Sequence, residues 1–459
     1  MALTTKSNLS GGIALAKIIA FKKAQDELYA SRRVKTRAAL SANASPFLAS
    51  VPMHWMLDWP MPFAMLVEKA TGASIRDIDG NVLDDFCLGD TGSMFGHSPK
   101  PVAKAIAKQA KRGLTYMLPT EDALEVGKLL VDRFGPFRWQ IATTASDANR
   151  FALRVARAVT GRNKILVFNG CYHGAVDETY VKLIDGKTAP KPGLVGQAVD
   201  LTENSVVCEF NDVAGLKKTL AAKDIACVIT EPVLTNSCMV LPQPGFMEAV
   251  RKLTRDAGTL LLIDETHTIS TGLGGYTKVH NLDPDIFVLG KPVAGGVPAS
   301  VWGLSQSVAD RYAIYNATRE PGYSGIGTTL SANPLQFAAM RACLSKVMTA
   351  KNYKHMDKLA AHLEAGLAKI ITARKLPWHV ARVGARVEFI CAPGPLKTGA
   401  EAYAAHRPQL EAALHVGLLN RGSLIAPFHN MMLISPETRK RQVDHLIDSF
   451  AAVTFELIS

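Results

Sequence analysis

The sequence predicts an α/β protein with a large domain, a mainly parallel sheet sandwiched by helices, and a smaller α+β domain beside it. Near-continuous apolar runs at 139–143, 164–168, 226–230, 259–263 and 286–289 read as strands buried on both faces. Amphipathic stretches such as 147–160 and 244–257 lie between them, as helices do when they connect parallel strands. After about residue 335 the pattern changes to a long helical stretch at 334–373, short strands within 379–391 and 423–434, and a terminal helix over 437–456.

The elements before the sheet follow in order. Residues 12–42 carry apolar side chains at helical spacing and predict one continuous helix. In 51–63 three prolines forbid a regular helix, while Trp55, Trp59 and Phe63 crowd a short loop that either covers the core or lines a pocket. Alternation around Asp79-Gly80-Asn81 predicts a hairpin over 73–87. A glycine-rich stretch from Gly89 to Gly96 leads into a helix at 99–112. The resulting division is an N-terminal helical arm (1–50), the first part of the small domain (51–92), the large domain (93–335) and the rest of the small domain (336–459).

Composition excludes several classes. Hydrophobic residues are 48% and charged residues 20%, enough apolar material for a sizeable core and too much for a disordered chain. No run of eighteen apolar residues is present, so no membrane span is expected. The net charge of +12 is scattered, with no arginine-rich tract or aromatic-interleaved basic stripe, so no nucleic-acid partner is expected. The seven cysteines show no C-x-x-C spacing, which fits reduced thiols in a cytoplasmic protein and provides no metal framework. Lys17 interrupts the short apolar run near the start, against a secretory signal. The acid-poor first forty residues read as a helical arm or an organellar presequence, and the arm is the expectation.

The most informative feature is what ends the strands. The run 226–230 ends in Glu231-Pro232, 259–263 in Asp264-Glu265-Thr266-His267, and 286–289 in Gly290-Lys291. The run 164–168 enters Asn169-Gly170-Cys171-Tyr172-His173-Gly174, and 139–143 enters Thr144-Ala145-Ser146-Asp147 and a helix. Ligands of open α/β sheets bind at the carboxyl ends of strands. A partly desolvated lysine there is a usable amine nucleophile, and an ionised aspartate can keep a pyridinium-type nitrogen protonated. Free N–H groups at a helix start form an anion site. Each feature alone also has an ordinary reading as a cap, a packed aromatic or a solvent-reaching lysine.

Together and in this order they resemble the class III (subgroup II) aminotransferases, pyridoxal phosphate enzymes of fold type I, in their glutamate-1-semialdehyde aminomutase-like branch. The resemblance covers roughly residues 65 to 455. It rests on Asp77-Ile78-Asp79-Gly80, Gly96-His97, Thr144-Ala145-Ser146-Asp147-Ala148, Tyr172-His173-Gly174, Glu231-Pro232, Asp264-Glu265, Lys291 placed 27 residues after Asp264, and Thr328-Thr329 through Asn333-Pro334. It implies that Lys291 carries pyridoxal 5'-phosphate as a Schiff base and shuttles the proton, while Asp264 bonds the ring nitrogen. Tyr172 and Thr266 would cover the two ring faces, and Ala145 and Ser146 would hold the phosphate. Thr329 would reach the phosphate of a neighbouring subunit, implying a homodimer with shared sites. His267 stands where some relatives bond the ring's phenolic oxygen, and His173 and Glu231 belong to the same cofactor-binding set. The chain departs from the family in Thr144-Ala145 for Ser-Gly, Asp147 for Glu and Thr266 for Val.

The expected function is an aminotransferase moving an amino group from an amine or amino acid to a keto acid or aldehyde by a ping-pong Schiff-base mechanism. Trp55, Trp59 and His429 are the expected substrate contacts. His429 lies near the place where relatives acting on β-amino or aromatic acids carry an arginine, and Arg421 is nearby. Apolar walls without that arginine suggest a hydrophobic amine, or an aromatic or β-amino acid. The alternatives are an aminomutase that keeps amine and carbonyl within one molecule, a decarboxylating relative and a non-catalytic binding protein.

Overall fold

The computed structural model describes residues 9–42 and 45–459. Its centre is a seven-stranded sheet in the order Ser205–Cys208, Lys164–Phe168, Ile225–Thr230, Leu260–Asp264, Ile286–Leu289, Ser300–Leu304 and Arg138–Ala142. Six strands run in one direction and Ser300–Leu304 runs against them. Every residue of Ile225–Thr230, Leu260–Asp264 and Ile286–Leu289 is buried, so apolar side chains are required on both faces. The predicted strands stand within a residue or so of their expected bounds.

Two strands, Ser205–Cys208 and the reversed Ser300–Leu304, lie outside the predicted set. The reversal follows from connection length. Only residues 290–299 join Leu289 to Ser300, too few for the crossover that a parallel return needs. Below the sheet, Phe287 meets Phe134, Phe137 and Trp139 with ring centroids 5.3 to 5.9 Å apart.

The hairpin around Gly80 forms as predicted, with Ser74–Asp77 antiparallel to Val82–Asp85. It belongs to a four-stranded sheet with Val67–Thr71 and with Ser423–Leu424 from near the far end of the chain. A three-stranded sheet of His379–Val383, Arg386–Ile390 and Met431–Leu433 lies among the later helices.

The single helix expected over 12–42 is corrected. A two-stranded hairpin (Leu9–Ser10 with Ile13–Ala14) precedes a helix at Leu15–Ser31, and a second helix starts at Val34. Polar tertiary contacts make the break. Arg33 is 1% exposed, lies 4.2 Å over the Tyr29 ring and pairs with Asp77 at 3.0 Å. Asp79 accepts from the backbone N–H groups of Lys35 and Thr36, capping the second helix from across the chain. Apolar periodicity carries no trace of such a cap.

All seven cysteines are free and buried. Among the described residues, no helix is long and apolar enough to cross a membrane, and no group of three ligating side chains could hold a metal ion.

Phe287 is fully buried within its aromatic cluster. Phe287→Ala is expected to cost about 3–5 kcal/mol. A clearly lowered urea midpoint is the measurement, and an unchanged midpoint would contradict this packing.

Candidate active site

Because six strands share a direction, the carboxyl ends of Arg138–Ala142, Lys164–Phe168, Ile225–Thr230, Leu260–Asp264 and Ile286–Leu289 open on one edge of the sheet. At the first of these ends Thr144 caps the helix Ala145–Thr160, its Oγ1 accepting from Asp147 N at 3.1 Å. The first-turn N–H groups of Ala145 and Ser146 have no intrahelical acceptor. Ser146 Oγ accepts from Ala175 N at 2.9 Å. Glycine is needed beside them, since a Cβ on Gly174 would stand 2.1 Å from Ser146 Oγ, and one on Gly290 2.8 Å from the Ala145 Cβ. Small residues thus keep a concave cup at the helix start.

Asp264 is 3% exposed. Its Oδ2 accepts from Asn149 Nδ2 at 2.9 Å and lies 3.0 Å from His173 Nδ1, and its Oδ1 accepts from Thr266 N at 3.1 Å. Burial alone would raise its pKa, yet His173 and these donors hold it below the ordinary carboxylate range. Against its own burial, Cys171 first and then Asp264 raise His173 above its ordinary value. His173 Nε2 and Asn149 Oδ1 are buried without partners beside this carboxylate.

Lys291 sits at the centre. Its Nζ donates to Asp90 Oδ2 at 2.7 Å and lies 2.5 Å from His267 Nε2. Burial first, and then the Lys291 charge, depress the His267 pKa well below its ordinary value, so the ring is neutral. With Nε2 accepting from the ammonium, the ring proton lies on Nδ1 and is donated to Thr235 Oγ1 at 2.6 Å. The Thr235 hydroxyl donates to buried Glu231, whose Oε1 also accepts from Tyr172 N at 3.4 Å. Thr266 Oγ1 accepts from Gly290 N at 3.2 Å and fixes the turn before Lys291. The Tyr172 ring is half exposed on the same edge.

Backbone strain concentrates here. Leu88, Asp90, Thr91, Lys291, His429 and Asn430 all have positive φ, between 46° and 82°. Such left-handed non-glycine residues cost about 1–3 kcal/mol each and persist where packing over-determines them, often at functional sites.

The remaining expected residues stand further out. Thr329 is exposed on the loop 321–331, which is tied to its own chain through Thr328 Oγ1, Ser331 Oγ and Thr143 Oγ1 at 2.7 and 3.3 Å. His429 Nδ1 is buried without a partner, and burial, aided by His406, lowers its pKa to about 4. Trp59 packs edge-on against His415, and Trp55 is 40% exposed in a short turn of helix. Arg421 pairs with Glu456 near the end of the last helix.

Sequence reasoning missed Asp90, Asn149 and Thr235. Asp90 lies in the glycine-rich stretch already singled out, and Asn149 lies one turn after Ala145 on its helix. Thr235 carried no signal.

The sequence model described as Aminotransferase class-III matches residues 58–453. The chain is a member of the class III aminotransferase family. Within it, a glutamate-1-semialdehyde 2,1-aminomutase of Desulfitobacterium hafniense (strain DSM 10664 / DCB-2) is 33% identical over 390 residues, covering 84% of this chain and 89% of that protein. A solved glutamate-1-semialdehyde-aminomutase from Pseudomonas aeruginosa PAO1 is 45% identical with a TM-score of 0.95, covering 97% of this chain and 100% of that one. A lysine-to-alanine variant of an aminomutase from that organism is solved in complex with PMP. An omega-transaminase from Sphaerobacter thermophilus is 25% identical with a TM-score of 0.82, covering 90% and 95%.

Class III aminotransferases are pyridoxal phosphate enzymes of fold type I, and this chain shares their fold and cofactor dependence. The residues present fit that cofactor. Free N–H groups in a small-residue cup suit its phosphate, an anionic buried Asp264 suits a protonated ring nitrogen, and Lys291 offers the amine. The comparisons weigh more toward the aminomutase alternative than toward the intermolecular transaminase expected first.

Asp264→Asn is expected to lower turnover at least about a hundredfold and to weaken cofactor retention, read from visible absorbance after gel filtration. A variant that kept both would remove Asp264 from the site. A pH effect follows from the neutral imidazoles of His267 and His429. Between the free histidine value of about 6.5 and their lower folded values, the unfolded chain binds protons that the folded chain refuses. Stability therefore falls as the pH drops from about 6.5 toward 4. The urea midpoint of His429→Gln is expected to change less between pH 7 and pH 5 than that of the unsubstituted protein.

Proposed function

We propose that the protein is an isomerase of the glutamate-1-semialdehyde 2,1-aminomutase type, moving an amino group between neighbouring carbons of one carboxylate-bearing molecule. The observation that carries the reading is Lys291 Nζ, held between Asp90 and a neutral His267 at the same sheet edge as the anionic Asp264. The 45% identity to a solved aminomutase over nearly the whole chain supports it.

In this reading, Ala145 and Ser146 bind the phosphate through N–H groups and hydroxyl. Asp264 keeps the ring nitrogen protonated, with Asn149 and His173 orienting it. Tyr172 and Thr266 cover the ring faces. Bound pyridoxal phosphate supplies the electron-withdrawing ring that lets a substrate carbon release a proton. Lys291 Nζ, as a free base, takes that proton and returns it at the neighbouring position. His267, backed by Thr235 and Glu231, accepts a hydrogen bond from Nζ and orients it, and Asp90 holds Nζ when it is charged. The site belongs to residues 93–335, with Asp90 supplied from 51–92 and Arg386 and His429 from 336–459.

A homodimer belongs to the same proposal. Tyr323 and Leu330 are exposed on the loop that carries Thr329, and elsewhere Tyr116, Met117 and Leu118 are 43%, 78% and 68% exposed in sequence, apolar surface suited to an interface. A second reading, intermolecular transamination in the cytoplasm, is favoured by the likeness to the Sphaerobacter omega-transaminase. It would take a hydrophobic amine, aromatic or β-amino donor with a separate carbonyl acceptor.

The test supplies glutamate 1-semialdehyde with no second amino or carbonyl compound. Expected is its isomer, with the amino group on C1 and the carbonyl on C2. Turnover only when an acceptor is added would replace this reading with the transaminase. Borohydride reduction should place the coenzyme on Lys291 by peptide mapping. Lys291→Ala is expected to lose at least about a thousandfold in rate.

A further inference from the structure

The strand Arg386–Ile390 is the middle strand of its three-stranded sheet and carries two charged residues among apolar ones. Arg386 and Glu388, two apart, share one face. They are 1% and 0% exposed. Arg386 Nη2 donates to Thr91 Oγ1 at 2.5 Å, one residue from the Asp90 that holds Lys291. That hydrogen bond sets the guanidinium beside the segment that holds Lys291, and its charge is felt by Asp90, His267, Glu388 and His429.

These groups are incompletely satisfied. Arg386 Nε has no acceptor, neither oxygen of Glu388 has a partner, and His429 Nδ1 has none. Among the described residues no salt bridge neutralises Arg386. A buried guanidinium left this way is costly, and orphaned buried polar atoms call for a partner that a ligand can supply. Burial raises the Glu388 carboxyl well above its ordinary range despite Arg386, so it offers an O–H. An unpartnered guanidinium N–H and an unpartnered carboxyl on one face of one strand suit a two-oxygen anion and not a cation.

We propose that Arg386 and Glu388 form the subsite for the substrate's carboxylate, the Arg386 Nε–H and the Glu388 carboxyl each donating to it. The substrate class is thereby an amino or oxo acid and not a simple amine. This rests on the reading that Lys291 acts on an amino compound held beside it. Arg386 takes the role for which an arginine was sought near His429, from a different strand.

The experiment is calorimetric titration of the holoenzyme with pentanoate and with pentanamide, which differ only in the group the subsite would read. Pentanoate is expected to bind at least about tenfold more tightly. Arg386→Gln should remove that preference, and Arg386→Lys, which keeps the charge without the fork, should retain part of it. Glu388→Gln keeps a donor and should bind pentanoate within a few-fold of the unsubstituted protein, whereas Glu388→Leu should not. In parallel, the ratio of kcat/KM for an amino acid to that for the matching amine without its carboxylate should fall at least about tenfold in Arg386→Gln. Equal binding of pentanoate and pentanamide by the unsubstituted holoenzyme overturns the subsite without any variant. An equal loss for both probes in Arg386→Gln overturns it too, leaving Arg386 a structural cation. Arg386-dependent pentanoate binding in an enzyme that exchanges no amino group would uphold the subsite and remove the proposed reaction.

Discussion

The site depends on one buried charge. Asp264 closes a strand made otherwise of leucine and isoleucine, and a carboxylate taken out of water there costs several kcal/mol unless donors replace the solvent. The donors come from three places: Asn149 on the helix after the first strand, His173 on the loop after the second, and Thr266 N on its own turn. Satisfying Asp264 therefore fixes the helix and the loop against the sheet. The same fixing places the Ala145 and Ser146 N–H groups and brings Tyr172 to the edge. The start of the helix at Ala145, the loop that carries Tyr172 and the acid are coupled through a single carboxylate.

Lys291 is held by a different device. It lies in the left-handed region, as do Thr91 and the Asp90 that accepts from it. That strain is offset by the core beneath, where Phe287 and its aromatic neighbours anchor the strand leading to Lys291. The result is an amine whose two partners differ in kind, an anion on one side and a neutral imidazole on the other. The proposed proton transfer needs both the charged and the neutral amine to be supported, and this pair supports each.

Much of the fold was legible because strands buried on both faces leave an uninterrupted apolar signature. The runs 164–168 and 286–289 stand unchanged in the structure, and those at 226–230 and 259–263 shift by about one residue. The polar residues at their ends were legible for the same reason, since a lysine, an aspartate or a glutamate directly after such a run is conspicuous. Ser300–Leu304 was not, because a strand packed antiparallel after a short return looks like any apolar loop. The broken N-terminal helix was hidden too, as Asp77 and Asp79 act on it from more than forty residues away.

By itself, the sequence determined five of the seven strands of the sheet and the Lys291, Asp264 and Tyr172 ends, because these follow from local apolarity and chain order. Tertiary structure alone decided the company those residues keep. Arg386–Ile390 shows why: charge alternating with apolar side chains reads locally as a strand with one face in water. Other elements cover that face, and burial turns two ordinary surface charges into a guanidinium with an unpartnered Nε and an acid without a partner. Burial belongs to the assembled molecule and not to any segment, so no window of residues could have shown it.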